Sequence, residues 1–389
     1  MAKNWMEDPA AVPAAAAGTR TPKTVEELAA IVREGKPIHA TGSGTKVHHG
    51  PAAAGVETVS LRALKAIPFY EPGDLVVCAQ AGVRLADLQA ELAKKNQWLP
   101  LDPPYPEATL GGILATNSAG PRRLAYGTMR DHVIGMSVLG ADGTVTRSGG
   151  RVVKNVTGYD LHKMHIGAFG TLGIIVEANF KVRPRPEVSA AVVFTCETVH
   201  EAHTLLLKVA ASPLRPVALE ALDGRLKHIV DGKALAIVGV EGSRPVIDRH
   251  LRDLEKIGGK HGVLDGARAE PLWTALRKLP SALKDFVRVR VAAKPHDLPR
   301  LLPQAPLWIQ AGVGIARVDL TPAADVVKKI QQWNERVAAH GGYAVVESAP
   351  LDLKDREKLP WGGPPSELMR SIKAARDPDN LLNRGRMVL

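Results

Sequence analysis

The chain has 389 residues, enough for two domains, with 45% hydrophobic and 23% charged residues and a mean hydropathy of -0.06, which excludes a disordered or fibrous polymer. Its net charge of +11 is spread, +5 over residues 1–186 and +6 over the remainder, and only 4% of residues are aromatic, so no nucleic-acid stripe with base-stacking side chains is expected. Two cysteines, Cys78 and Cys196, exclude a disulfide framework, a four-cysteine zinc site and an iron–sulfur cluster held by this chain alone.

Residues 1–19 are rich in Ala and Pro and read as a loose segment without a secretion signal, and no apolar run reaches the roughly 20 residues of a membrane span. Thr24 with Glu27 forms a capping box ahead of the helix-spaced stripe Val25, Leu28, Ile31 and Val32. A short extended segment, Pro37 to Ala40, runs into the tight loop Thr41-Gly42-Ser43-Gly44-Thr45. Asp74 to Gln80 reads as a buried strand, and Leu85 to Lys95 as an amphipathic helix. Val133 to Leu139 and Thr144 to Arg147 read as strands of a hairpin turning at Asp142-Gly143.

The strand Ile174 to Val182 is followed by Pro184 and Pro186, which mark the expected boundary between two domains. Beyond it, strands are expected at 190–195, 234–240, 286–291 and 307–311, and helices near 200–211, 247–256 and 323–339. The densest basic run, Lys278, Lys284, Arg288, Arg290, Lys294 and Arg300, is expected to be a solvated face or a docking surface for an acidic partner.

Residues 101–175 hold 13 of the 36 glycines, so here the backbone must come close to something. Two glycine-rich loops, Thr41 to Thr45 and Thr109 to Gly120, can turn successive N–H groups towards phosphate oxygens. Ordinary turns remain an alternative for either loop alone. Neither has the Gly spacing of a Rossmann or P-loop motif, so a different nucleotide fold is required. A third segment, Gly167 to Ile175 (GAFGTLGII), places glycines at close spacing ahead of a β-branched strand.

Together these segments (HATGSGT, the run from PPYPEATLGGILATNSAG to TVTRSGG, KNVTGYDL and GAFGTLGII) resemble the vanillyl-alcohol oxidase superfamily of flavoproteins and its PCMH-type FAD domain. Within that superfamily the chain is most similar to the FAD-binding subunits of bacterial glycolate oxidases, through RVVKNVTGYDLHKMHIGAFGTLGIIVEANFKVRPRP and the ending DPDNLLNRGRM. The resemblance implies an α+β fold: a two-part PCMH-type FAD-binding domain over 20–186, a smaller α+β cap or substrate-type domain over 187–365, and a C-terminal segment, 366–389, packing back on the FAD domain. It implies a pyrophosphate loop at Thr41, Gly42, Ser43, Gly44 and Thr45. A second loop falls at Thr109, Leu110, Gly111 and Gly112 and continues through Asn117, Ser118, Ala119 and Gly120. Tyr126, Gly127, Thr128 and Asp131 fall at flavin-lining positions, Gly170, Gly173 and Ile174 on the adenine side, and Asn383 at the family's matching asparagine in the tail. Relatives tether the flavin through histidine in the first loop or cysteine in the second; these loops contain neither, His39 lying just ahead of the first, so non-covalent FAD is expected. His48 and His49 are expected at the surface.

A cation near flavin N1 stabilises the reduced form, and Lys154, Arg130 and Lys163 are candidates. Oxidation of a 2-hydroxy acid also needs a cation for the carboxylate and a base for the hydroxyl proton. The resemblance implies a histidine cluster in the second domain of catalytic relatives. Here His296 and His340 are isolated in sequence and Gln310 stands in a Gln-Ala-Gly-Val-Gly segment, so no metal site is expected; Arg317 and Lys154 are the remaining catalytic candidates. The implied role is an FAD subunit of a glycolate oxidase complex that oxidises glycolate to glyoxylate. A second FAD subunit and an iron–sulfur subunit would be its partners, and the location would be cytoplasmic, with membrane contact only through those partners. The alternative is a stand-alone dehydrogenase of a small 2-hydroxy acid such as D-lactate.

Overall fold

The structure is a computed structural model and describes residues 19–46, 49–50, 56–152, 158–279, 285–302, 307–350, 353, 358–362 and 366–386. It is a mixed α and β fold of two compact units, one comprising 1–119, 128–185 and 364–389, the other 120–127 and 186–363.

The first unit opens with the helix Val25–Arg33. The Thr24 hydroxyl accepts from Glu27 N at 3.1 Å, and the Glu27 carboxylate accepts from Lys23 N rather than from the cap residue itself. Leu28, Ala29, Ile31 and Val32 are buried, as helical spacing requires. The strand Ile38–Thr41 pairs in parallel with Glu57–Ser60, and Leu382 bridges to Ile38 on its other side. An antiparallel five-stranded sheet runs in the order Phe69–Glu71, Val76–Gln80, Ile174–Lys181, Val133–Leu139, Val145–Gly149. The Asp-Gly hairpin forms where the dipeptide predicts it, with Gly143 at φ +73°. The strand expected from Asp74 begins only at Val76, because Leu75 turns the chain at φ +57°. Leu88, Leu92, Ile113, Leu139 and Phe180 fill one core between this sheet and the helices Leu85–Ala93 and Leu110–Thr116.

The second unit is built on an eight-stranded antiparallel sheet. Its order is Gly262–Asp265, Val188–Cys196, Ala234–Gly242, Ala218–Asp223, Leu307–Gln310, Ile315–Leu320, Val287–Ala292, Tyr343–Ser348. Alternation along the strands divides its faces. Val287, Val289, Val291, Ala316 and Val318 join a core with residues of the helices Val199–Ala210, Arg244–Gly258 and Val326–Ala338. Ala191, Leu222, Ile237 and Trp308 face a second core with the helix Glu270–Lys278.

The basic run corrects one expectation. Arg288 is 2% exposed, with Nε 2.6 Å from Asp319 Oδ1 and Nη1 donating to Leu279 O at 3.0 Å; Arg290 and Arg300 are also in ion pairs, with Glu347 and Asp297. Strand alternation turned Arg288 inward, where the buried Asp319 balances its charge, so this residue is not part of a docking face. Lys284 lies outside the described residues. Among the described residues no helix is long and apolar enough to cross a membrane.

Candidate cofactor site

The end of the strand Ile38–Thr41 delivers the first glycine-rich loop to a point where three distant segments meet. Asn383 knits them: its Oδ1 accepts from Ala40 N at 2.7 Å and its Nδ2 donates to Phe169 O at 2.6 Å, while its own backbone sits at φ +47°. The approach is close enough to demand glycine. A Cβ on Gly42 would lie 1.9 Å from Thr109 Oγ1, and one on Gly170, itself at φ +72°, would lie 2.7 Å from Asn383 Nδ2. Thr109 in turn N-caps the helix Leu110–Thr116, accepting from Gly112 N at 3.3 Å.

Two adjoining pockets open here, with volumes of about 390 and about 520 Å³. Of the residues expected at the cofactor, Thr41, Gly42, Ser43, Gly44, Thr45, Thr109, Gly111, Gly112, Gly170, Ile174 and Asn383 line one or both. Among the described residues the amides of Gly42, Ser43, Gly44 and Thr45 donate no hydrogen bond, so this turn presents a row of uncommitted donors. Ser43 Oγ is already bound to Glu107 O at 2.7 Å.

The other expected residues do other work. Leu110 is fully buried in the core, and Gly173 packs against Val138. Asn117 ends its helix at φ +46°, with its Oδ1 buried and unpartnered among the described residues. Ser118 Oγ accepts from Lys46 Nζ, and Ala119 is the last residue before the chain leaves this unit. Thr128 and Asp131 cap the short helix Met129–His132 reciprocally, Thr128 N donating to Asp131 Oδ2 at 2.7 Å. Gly120, Tyr126 and Gly127 belong to the second unit. There Gly120 O accepts from Gln310 Nε2 at 3.4 Å, the Tyr126 hydroxyl donates to Glu241 Oε2 at 2.7 Å, and Gly127 closes the helix Arg123–Tyr126 at φ +80°.

The larger pocket is also lined by His39, the first residue of the first motif, and by Lys46 and Arg386, to which the motif reading gave no role. Lys46 Nζ donates to Thr116 Oγ1 at 2.9 Å and lies 5.9 Å from the Tyr105 ring centroid. Arg386 donates to Lys46 O at 3.3 Å and to His49 O, so His49 sits half-buried against it rather than at an open surface. Burial, with the Arg386 charge beside it, pushes the His39 imidazole down to about 4, which keeps the ring neutral at pH 7. A lysine immediately after Gly-Ser-Gly-Thr was the available signal for a phosphate-facing cation; Arg386 is 340 residues away in sequence and left none.

The remaining cations are distributed elsewhere. Lys154 and His48 lie outside the described residues. Arg130 donates to Lys163 O at 2.7 Å, and Lys163 Nζ is 2.6 Å from Asp160 Oδ2. Arg317, in the second unit, holds Glu347 through Nε and Nη2 at 2.8 and 3.2 Å and Gln310 through Nη1 at 3.0 Å. Among the described residues no three His, Cys, Asp or Glu gather as a metal ion requires.

A cradle of small residues, free amides, an orphaned amide oxygen at Asn117 and two nearby cations fit a dinucleotide pyrophosphate with an extended polar tail. The comparisons agree. The FAD binding domain family matches residues 16–149, and the C-terminal domain of FAD linked oxidases matches residues 185–295 and 357–387. The chain is 30% identical over 371 residues to the glycolate oxidase subunit GlcE of Escherichia coli, covering 93% of this chain and 96% of that one. It belongs to the FAD-linked oxidases of the glycolate oxidase kind. FAD is the cofactor of this flavoprotein oxidoreductase. Another relative of this FAD-linked oxidase is glycolate oxidase subunit GlcD of Bacillus subtilis, 26% identical over 97% of this chain and 89% of that one. Among solved structures, alkyldihydroxyacetonephosphate synthase shares the fold with a TM-score of 0.68 at 20% identity, over 94% of this chain and 76% of that one.

Proposed function

We propose that this oxidase is the FAD-binding subunit of a glycolate oxidase-type complex, in which a 2-hydroxy acid, glycolate, is oxidised to glyoxylate and electrons pass to an iron–sulfur partner. The observation that carries this reading is the similarity to GlcE along almost the full length of both chains. FAD supplies the two-electron acceptor: the alcohol carbon gives up a hydride and the hydroxyl its proton. In this reading the chain's own residues bind and orient. The amides of Gly42 to Thr45 take the pyrophosphate, Lys46 and Arg386 balance its charge, and Asn383 holds Ala40 and Phe169 in register around it. FAD is held without a covalent bond. The second FAD subunit supplies the histidine cluster, and the membrane is met only through the partners, from the cytoplasmic side.

A second reading, a stand-alone dehydrogenase of a small 2-hydroxy acid, is favoured by relatives named D-lactate dehydrogenase, such as that of Anaerostipes hadrus, 34% identical over 205 residues and 51% of this chain. Anaerobic mixing of the FAD-loaded chain with glycolate and then D-lactate, followed at the flavin absorbance band, separates the two. In the complex reading the isolated chain stays oxidised with both acids and is reduced only when partner subunits are added. Bleaching of the isolated chain would sink that reading and establish the second.

A further inference from the structure

The C-terminal tail is fastened to the first unit at a few polar points. Its helix, Glu367–Arg376, has no buried residue among those described, and Leu368 on it is 69% exposed. The contact begins near the end of that helix. Lys373 Nζ donates to Thr171 O at 2.9 Å and to Asp377 Oδ2 at 2.5 Å. Asp377, 1% exposed, turns the chain by accepting from Leu381 N and Leu382 N, each at 2.8 Å. A buried carboxylate satisfied by one cation and two amides fixes the segment that carries it. The turned segment then lies along the strand Ile38–Thr41: Ile38 N donates to Leu381 O at 2.8 Å, and Asn383 N to Ile38 O at 2.9 Å.

Through these contacts the tail reaches the loops that build the cofactor pocket. Asn383 ties Ala40, just ahead of the first loop, to Phe169; Lys373 holds Thr171 in the third glycine-rich segment; Arg386 donates to Lys46 O and His49 O. Asn383 and Arg386 line the pocket, whereas Lys373 and Asp377 do not. Between Ser366 and Arg386 only Asp377, Leu382 and Asn383 are buried, so Leu382 is the one apolar side chain that the tail commits to the core. With so little apolar burial, docking of the tail rests on the Lys373–Asp377 pair and a short row of hydrogen bonds, and its undocking is a local event well below global unfolding in free energy. A ligand that meets two docked tail residues binds the docked state better, and by linkage each event favours the other.

We propose that Lys373 and Asp377 are positioning residues for FAD: they form a clasp that docks the tail on the cofactor pocket, and docking of the tail and binding of FAD are thermodynamically linked. The linkage depends on FAD as the cofactor and is independent of the substrate and partners proposed above. The test is hydrogen–deuterium exchange of the full chain with and without FAD, beside FAD titrations of the FAD-free protein followed by flavin fluorescence. The amides of Leu381, Leu382 and Asn383 are expected to exchange about tenfold more slowly in the FAD-loaded chain, with the strand Ala234–Gly242 of the second unit as an unchanged reference. Lys373→Met is expected to raise the Kd for FAD about tenfold and to speed exchange of the tail in the FAD-free chain. Saturating FAD then restores protection of the tail, which a merely structural defect would not show, and Lys373→Arg, which keeps the charge, recovers most of the affinity. Should Lys373→Met fail to fold, the parent chain with and without FAD decides by itself. Tail amides that exchange equally in the two forms, or an unchanged Kd in folded Lys373→Met, overturn the proposal.

Discussion

Lys46 follows the loop that exposes its amides, and its ammonium is positioned by Thr116 and Ser118 rather than left to wander. A pre-positioned cation loses little freedom on meeting a phosphate, so its removal is expected to be costly. Lys46→Met is predicted to raise the Kd for FAD about tenfold, close to 1.4 kcal/mol, and to flatten its dependence on salt; flavin fluorescence titration of the FAD-free protein reads both. A half-buried histidine, His39, and a buried one, His165, set a pH dependence. His39 is pushed down to about 4 by burial and then by Arg386, and His165 to about 4 by burial and then by Arg376 and His162. Both rings are neutral in the folded state where an unfolded imidazole begins to take its proton, near 6.5. The unfolded state therefore binds more protons, and stability falls as the pH drops from about 6.5 towards 4. Each ring contributes a slope of up to about 1.4 kcal/mol per pH unit. Denaturant unfolding of the FAD-free protein at pH 7, 6 and 5 is expected to show a shallower loss in His39→Gln and in His165→Gln than in the parent.

At the scale of elements, the cofactor pocket depends on how tightly the loop after Ile38–Thr41 meets the cap of Leu110–Thr116. Gly42 has no room for a methyl group, since it would overlap Thr109 Oγ1 and stand 3.0 Å from Thr109 Cβ. Gly42→Ala is predicted to lower unfolding free energy by about 2 kcal/mol and to reduce the FAD content of the purified protein. Adding Thr109→Ala restores part of the stability and little of the FAD, because it removes the worst overlap and also the helix cap. A thermal melt and a flavin-to-protein absorbance ratio on the two variants decide this. The hairpin at Asp142-Gly143 and the helix Val25–Arg33 were readable from local chemistry alone, because a type of turn and a capping hydroxyl act within four residues. The strand onset at Val76 was not: nothing local announces that Leu75 adopts a left-handed conformation.

For the whole molecule, the pocket wall includes His39 but no cysteine among the described residues. Among the described residues His39 has no side-chain hydrogen bond that would aim it, and burial, with the Arg386 charge beside it, lowers its proton affinity. Acid precipitation is predicted to release all FAD into the supernatant, leaving no flavin mass on the polypeptide by mass spectrometry; a flavin adduct on His39 would falsify the non-covalent reading. At this scale the chain also exchanges segments between its units. Residues 120–127, contiguous in sequence with the second glycine-rich loop, are bound by Glu241 and Gln310 of the second unit, and the tail returns to the first unit through Asn383.

By itself the sequence determined most of the strands and helices, because glycine spacing, alternation and capping are local signals that survive without a partner in view, while the cofactor class and the α+β architecture came through its resemblance to a flavoprotein family. It also carried the loop residues Thr41 to Thr45, whose chemistry is written in consecutive positions. Only the tertiary structure decided which charges pair with which. Arg288 and Arg290 stand two apart on one strand, yet the first is sealed against Asp319 and the second pairs with Glu347; Arg122 and Arg123 are neighbours, yet it is Arg122 that Glu241 takes. Burial and counter-charge arrive from strands and helices more than 25 residues away in sequence, so the allocation of ion pairs has no local pattern to read. The same holds for Arg386 beside Lys46, where residues 340 positions apart in sequence meet at one pocket.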